Sequence, residues 1–232
     1  MNNIPSNAIP YLVGFPAFAL FGLRGYKNWR RLHNPLSGYF ALSGFSASLA
    51  FFFWSVPFAI SSDPTFILIA NILGDFFLYT MFVIQADLVY YLTLRNKMSR
   101  TLYVGPAVLI AIAGLISNSY GYVQNGIEII NGELVYSLPL FSSIAQMILL
   151  VNVFLVGILM LGKLKELASG RSKTSLISVA VLYIFAALGG AINVILSGNP
   201  NDSPLIIGTY VGGFILFVII LISVRFIKKT SN

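Results

Sequence analysis

Residues 65–94 read TFILIANILGDFFLYTMFVIQADLVYYLTL, and Asp75 and Asp87 are the only charged residues in this stretch. The hydrocarbon core of a bilayer is about 30 Å thick, so a helix needs about 20 apolar residues to cross it. The stretch is therefore long enough to span a membrane, and its extra length allows it to tilt or to protrude into the cytoplasm. The fold prediction starts from this span.

Six more apolar segments lie on either side of it, each bounded by charged or turn residues. The seven predicted spans are Ala8–Leu23, Tyr39–Ile60, Thr65–Leu94, Leu102–Ser117, Pro139–Leu161, Leu176–Ser197 and Leu205–Ile227. The composition agrees, because 57% of the residues are hydrophobic and 9% are charged, whereas about 25% are charged in a typical soluble protein. The sequence predicts an all-α membrane protein in which residues 1–232 form a single seven-helix transmembrane domain.

The basic residues predict the orientation of this domain. All 14 lysines and arginines lie after the first, third or fifth span or at the end of the seventh, and cytoplasmic loops carry an excess of such residues. The N-terminus is therefore expected outside and the C-terminus in the cytoplasm of a multi-pass protein of the cell membrane. Contact with lipid headgroups explains the net charge of +7, so no nucleic-acid partner is expected.

The outer loop between the fourth and fifth spans contains a hairpin signal. Two apolar-rich segments, Ile127–Ile130 and Glu133–Tyr136, flank the dipeptide Asn131-Gly132. Asn-Gly in this setting is typical of a type I′ turn between two antiparallel strands. The hairpin is expected to cap the outer mouth of the helices, either as a ligand lid or as a linker folded onto the helix ends.

The inventory of residue types excludes several kinds of active site. The chain has no cysteine, and His33 is its only histidine, so thiolate metal sites, a haem held by paired histidines and a Ser-His-Asp set are not expected. No lysine lies within a span, which excludes a retinal Schiff base, and there is no phosphate-binding GxxxxGK[ST] loop. We therefore expect no enzyme, no catalytic residue, no metal and no cofactor.

Polar side chains at membrane depth are the remaining candidates, because they are costly there and mark function by default. In the third span, Asn71, Asp75 and Gln85 share one helical face, with Tyr79 at its edge. Asp75 lies about 15 Å from the outer end, near the midplane. Two roles stay open for Asp75: a neutral acid that is hydrogen-bonded to another helix, or a proton or cation site. Asp87 is expected to form an ion pair.

Later spans supply further candidates, namely Gln146 in the fifth span and Tyr183 and Asn193 in the sixth. Helix packing is the alternative role for each of them. The predicted ligand-binding residues are Asn71, Asp75, Tyr79, Gln85, Gln146, Tyr183 and Asn193. The predicted contacts with a cytoplasmic partner or anionic lipid are Lys163, Lys165, Arg171 and Lys173.

Two segments carry a resemblance to a known family. Residues 131–141, NGELVYSLPLF, lead into the fifth span, and residues 189–196, GGAINVIL, precede the outer loop 199–204 and a glycine-rich last span. Both are similar to the seven-transmembrane sensor region of prokaryotic histidine kinases. Because the chain ends at Asn232, the resemblance implies a stand-alone sensor without the kinase domain.

These observations together predict a non-enzymatic, receptor-like membrane sensor. It is expected to bind a small or lipid-like ligand from the outer side and to signal to a cytoplasmic protein, with membrane lipids as its other partners. Two alternatives stay open. One is a proton- or cation-coupled transporter or channel that uses Asp75, and the other is a structural subunit of a larger membrane complex.

Overall fold

The computed structural model describes residues 5, 8–126, 128–130, 133–135, 138–163 and 171–196. These residues form helices joined by short connections, together with one pair of short strands. In chain order the elements are α1 (Ile9–Leu32), α2 (Pro35–Phe53), α3 (Val56–Ile60), α4 (Pro64–Thr93), α5 (Arg100–Asn125), β1 (Glu128–Ile130), β2 (Glu133–Val135), α6 (Leu140–Gly162) and α7 (Arg171–Leu196).

Within the described ranges, five stretches are long and apolar enough to cross a membrane. They are Pro35–Ile60, Pro64–Thr93, Arg100–Asn125, Leu140–Gly162 and Leu176–Ile195. These five correspond to the second to sixth predicted spans, and they are compatible with an integral membrane protein. The first predicted span forms α1, which is not one of the five. The seventh, Leu205–Ile227, lies outside the described residues, so the count of seven and the orientation stay predictions.

The outer surface of the helices is apolar, as α5 illustrates. Leu102, Leu109, Ile116 and Val123 recur every seven residues and are between 63% and 68% exposed. The opposite face of α5 buries small residues and the polar Asn118. A continuous exposed stripe of large aliphatic side chains is unfavourable in water but fits a surface that faces lipid.

Helix α4 lies at the centre of the packing. It packs against α2, α5 and α6, while α1 packs on α2 and α7 packs on α6. Small residues allow some of these contacts to be very close. A Cβ atom on Gly44 of α2 would lie 2.6 Å from the backbone nitrogen of Gly22 in α1, and a Cβ atom on Gly157 of α6 would lie 2.9 Å from the carbonyl oxygen of Ala180 in α7.

Several helices begin or end outside the predicted span boundaries. The first span was expected to end at Leu23, but α1 continues to Leu32 through the basic residues. The second, Tyr39–Ile60, is divided into α2 and α3 by a break at Trp54 and Ser55, and α2 begins earlier, at Pro35. Asn34 sets this start, because its side chain accepts a hydrogen bond of 3.0 Å from the Leu36 amide.

The fourth span also differs from its prediction. It was expected to cover Leu102–Ser117, but α5 begins at Arg100 and continues to Asn125. The polar residues after Ser117 were interpreted as the start of a loop. Asn118 and Tyr122 in fact continue the buried face of the helix, so the helix is stabilised by packing beyond the point where the apolar run ends.

The connection between α5 and α6 contains the two short strands. Glu128 pairs with Val135 and Ile130 with Glu133 in an antiparallel register. Asn131 and Gly132, on which the predicted type I′ turn depends, lie outside the described residues. The turn type and the position of this segment over the helix ends therefore stay predictions.

Candidate functional site

The candidate site is the buried polar face of α4. Asn71, Asp75 and Tyr79 are each 2% exposed, and Gln85 is fully buried. Intervals of four residues place the first three on nearly the same side of the helix, and Gln85 lies further along that side. Helix α4 thus has polar side chains on its buried face and apolar side chains on its exposed face. Its exposed residues include Phe66, Ile69 and Phe76.

Asp75 is held by three neutral side chains. Asn118 of α5 donates a hydrogen bond of 2.7 Å from its Nδ2 to Asp75 Oδ2. Tyr122 of α5 and Trp54, which follows α2, are the other polar side chains close to this carboxyl group. The carboxyl group is therefore enclosed by α2, α4 and α5, with no positive charge among these partners.

Two glycines allow this enclosure to be tight. A Cβ atom on Gly74 would collide with the indole of Trp54, and a Cβ atom on Gly114 would lie 2.6 Å from the Tyr79 hydroxyl oxygen. Both contacts require the absence of a side chain, because real Cβ atoms do not approach so closely. The Gly74-Asp75 pair thus brings the aspartate next to Trp54.

One turn further along α4, Tyr79 reaches α6. Its hydroxyl group lies 2.9 Å from Ser142 Oγ in a hydrogen bond in which either oxygen can be the donor. Gln146, one turn along α6 from Ser142, is the other polar side chain close to the Tyr79 hydroxyl group. The predicted residues Tyr79 and Gln146 therefore come together, and they do so beside Asp75, with which Tyr79 interacts electrostatically.

Gln85 forms the third junction of the face. Its Nε2 donates to Ser43 Oγ of α2 at 2.6 Å and to the Tyr183 hydroxyl of α7 at 3.3 Å. Ser43 can accept this bond because its own hydroxyl donates to the Tyr39 carbonyl oxygen at 2.8 Å. The predicted residues Gln85 and Tyr183 are thus in contact, and the Gln85 Oε1 atom is buried with no hydrogen-bond partner in the described part of the chain.

Asp87 lies at the far end of α4, where its predicted ion pair is confirmed. Arg100 donates two hydrogen bonds, from Nε to Oδ1 at 2.7 Å and from Nη2 to Oδ2 at 2.6 Å. The Tyr39 hydroxyl donates a third bond of 2.9 Å to Oδ2. This cluster joins the start of α5 and the start of α2 to the end of α4.

Other predicted site residues do not join these contacts. Asn71 donates to the Ile67 carbonyl oxygen of its own helix at 2.9 Å, and Asn193 is half-buried in α7, away from the contacts described above. Among the predicted basic contacts, Lys163 is half-buried at the end of α6. Lys165 lies outside the described residues, and of Arg171 and Lys173 only the backbone is described, in the first turn of α7.

Asn118 is the functional candidate that the sequence prediction missed. It follows Ala107, Ala111 and Gly114 at intervals of four, three and four residues, which is the spacing of one helical face. That periodicity could have extended the fourth span and placed Asn118 inside the protein. Across residues 5–163 and 171–196, as far as they are described, no three His, Cys, Asp or Glu side chains are grouped so that they could hold a metal ion.

Comparison with known proteins finds no family model, no curated protein and no solved structure that matches this chain. The resemblance to kinase sensor regions therefore stays an expectation. The contacts of the α4 face are the observations that bear on function.

Proposed function

We propose that the protein is a receptor-like membrane sensor that binds a small or lipid-like ligand from the outer side and signals to a cytoplasmic partner. The observation that carries this proposal is the arrangement of hydrogen bonds on α4. Asp75 bonds to α5, Tyr79 bonds to α6, and Gln85 bonds to α2 and α7. A ligand that competes for any of these bonds changes how α4 is held by its neighbours.

The strength of such bonds supports a switching role. Hydrogen bonds between membrane helices contribute about 0.6 kcal/mol each on average, and at most about 1.7 kcal/mol. A ligand with matching polar groups can replace one of them at little cost. A differential affinity of a few kcal/mol then suffices to shift the helices from one arrangement to another.

The far end of α4 provides the output in this proposal. A shift of α4 is transmitted to α2 and α5 through Asp87, which Arg100 and Tyr39 hold at the predicted cytoplasmic end. The basic loop containing Lys163, Lys165, Arg171 and Lys173 contacts the partner or anionic lipid. The strand pair in the outer loop covers the ligand entrance, and two further spans complete a seven-helix topology with the N-terminus outside.

Extraction of small molecules from the purified protein tests this proposal. The wild type, Asp75→Asn, Tyr183→Phe and the control Tyr103→Phe are purified in native lipid, and bound molecules are identified by mass spectrometry. Tyr103 bonds to Asn152 at 3.1 Å, away from the α4 polar face. We expect a stoichiometric small molecule in the wild type and in the control, reduced at least tenfold in both site variants. Equal retention in all four proteins would contradict the site assignment.

A second function, proton- or cation-coupled transport, is favoured by one observation, the neutral surroundings of Asp75. A carboxyl group without a fixed counter-charge can exchange a proton or a cation during transport. Proteoliposomes with an imposed proton or sodium gradient test this function. Coupled flux that Asp75→Asn abolishes supports transport, and an absence of flux under both gradients contradicts it.

A further inference from the structure

The Asp75 carboxyl group occupies a site that disfavours its ionised form. The residue is 2% exposed, and the side chains of Asn118, Tyr122 and Trp54 that surround the carboxyl group are neutral. Burial of a carboxylate without a counter-charge costs far more than burial of a neutral acid with satisfied hydrogen bonds. The surroundings therefore favour a carboxyl group that carries a proton.

Asn118 gives independent evidence for that proton. Its Nδ2 donates to Asp75 Oδ2, but its Oδ1 is buried and has no hydrogen-bond partner among the described residues. Buried amide oxygens are nearly always hydrogen-bonded. An ionised carboxylate has no hydrogen to donate, whereas a carboxylic acid has one. A proton on Asp75 would thus supply the donor that Asn118 lacks.

We propose that Asp75 and Asn118 form a proton-binding site, in which the Asp75 O–H donates to Asn118 Oδ1 while Asn118 Nδ2 donates back to Asp75 Oδ2. A proton adds to Asp75 Oδ1, and no other covalent bond changes. Both polar atoms of the amide and both oxygens of the acid are then paired. This site is separate from the receptor function proposed above, because a proton can bind there whether or not a larger ligand binds.

No described neighbour offers a competing charge. The titratable side chains that interact with the carboxyl group are Tyr79 on α4 and Tyr122 on α5. The region after α2 contributes the indole of Trp54, and α6 contributes Ser142 behind Tyr79. Loss of the proton therefore leaves a negative charge without a counter-charge between α4 and α5 and removes the bond from Asp75 to Asn118 Oδ1.

Infrared spectroscopy of the full chain in lipid discs tests the proposal. A protonated carboxyl group has a C=O stretching band that a carboxylate lacks, and ¹³C-labelled aspartate shifts that band if it arises from an aspartic acid. We expect the wild type to show such a band at neutral pH and to lose it at high pH. Asp75→Asn should abolish the band, and Asp63→Asn, at an exposed helix N-cap, should leave it unchanged.

A second pair of variants tests the partnership with Asn118. Removal of the amide in Asn118→Leu should shift the band to higher frequency, because a free acid carbonyl stretches at higher frequency than a bonded one. The control Asn152→Leu removes an amide that bonds to Tyr103 instead and should cause no shift. If Asn118→Leu does not fold, the labelled wild-type band and its loss in Asp75→Asn still test the proton.

Three results would overturn the proposal. The first is an absence of any aspartate-derived acid band at neutral pH. The second is a band that survives in Asp75→Asn. The third is a band that disappears on addition of sodium at constant pH, which would identify a cation site in place of a proton site.

Discussion

At the residue scale, the close packing around the buried polar face of α4 requires glycine at neighbouring positions. Gly114 of α5 lies against Tyr79 of α4. A Cβ atom added to Gly114 would lie 2.6 Å from the Tyr79 hydroxyl oxygen. Tyr79 is 2% exposed and bonded to Ser142, so it cannot move aside without loss of that bond. The glycine therefore sets the distance between α4 and α5 near Asp75.

Substitution of Gly114 by alanine should be destabilising. Overpacking of a tight contact costs about 1–3 kcal/mol, so we expect Gly114→Ala to lower the free energy of unfolding by that amount in a denaturation series in detergent. Gly105 of the same helix has one neighbouring atom, at 4.0 Å, so Gly105→Ala should be neutral or stabilise the helix by about 1 kcal/mol. Equal effects of the two substitutions would contradict the close contact.

The bond between Tyr79 and Ser142 should be measurable by a double-mutant cycle. Tyr79→Phe and Ser142→Ala each remove one partner of the 2.9 Å contact, so we expect a coupling free energy of about 0.6 kcal/mol, at most about 1.7 kcal/mol. Thr80→Val is the control, since the Thr80 hydroxyl is bonded to the Phe76 carbonyl oxygen of its own helix. A coupling between Tyr79 and Ser142 no larger than that between Thr80 and Ser142 would show that the bond is not formed.

At the scale of the elements, α4 and α5 are joined at both ends of their contact. Asp75 bonds to Asn118 near one end, and Asp87 bonds to Arg100 near the other. Tyr90 of α4 also bonds to the Met98 carbonyl oxygen in the connection between the helices, at 3.1 Å. The short turn between α4 and α5 is thus held by the Tyr90 side chain of α4 and by the ion pair between Asp87 of α4 and Arg100 of α5.

Loss of the Arg100 side chain should loosen that turn locally. The side chain is 67% exposed, so its ion pair contributes about 0.2–1 kcal/mol to global stability after screening by solvent. Hydrogen exchange of the amides of residues 94–99 is the more sensitive measurement. We expect faster exchange there in Arg100→Gln and no change in Arg95→Gln, since Arg95 lies over the Tyr91 ring and does not bond to Asp87. Unchanged exchange in Arg100→Gln would show that the pair does not hold the turn.

The elements were predictable where long apolar runs define them, as in α4, where the predicted Thr65–Leu94 differs by one residue at each end from Pro64–Thr93. Helix ends were less predictable, because a helix continues through polar residues when its buried face continues, as α5 does at Asn118. Helical spacing grouped Asp75 and Gln85 on one face of α4 with Tyr79 at its edge, and all three are buried in the structure. It could not identify Ser43, Asn118 or Ser142 as their partners, because spacing along one helix carries no information about the helix that packs against it.

At the scale of the whole molecule, the described helices have an apolar outside and a partly polar inside. Exposed aliphatic stripes such as Leu102, Leu109 and Ile116 coexist with a fully buried Gln85. This distribution suits a lipid environment, in which polar groups must find partners within the protein. Burial of an ionisable side chain within a membrane-spanning helix costs free energy, and such residues mark function by default. This supports a functional role for Asp75.

The predicted orientation can be tested with single cysteines, because the chain has none of its own. Ser62, before α4, and Lys97, after α4, are both exposed and should lie on opposite sides of the membrane. We expect an impermeant maleimide to label Ser62→Cys in intact cells and Lys97→Cys only after permeabilisation. The reverse pattern would contradict the orientation, and labelling of both in intact cells would contradict a transmembrane α4.

Native mass spectrometry of the intact protein, released from discs of its own membrane, tests the central claim most directly. A receptor-like sensor built around Asp75 predicts the mass of the chain plus one small molecule or lipid, and the mass of the chain without it for Asp75→Asn. The claim would be contradicted if the wild-type chain carried no such molecule and was instead detected in a stoichiometric complex with another protein. That result would identify a subunit of a larger complex.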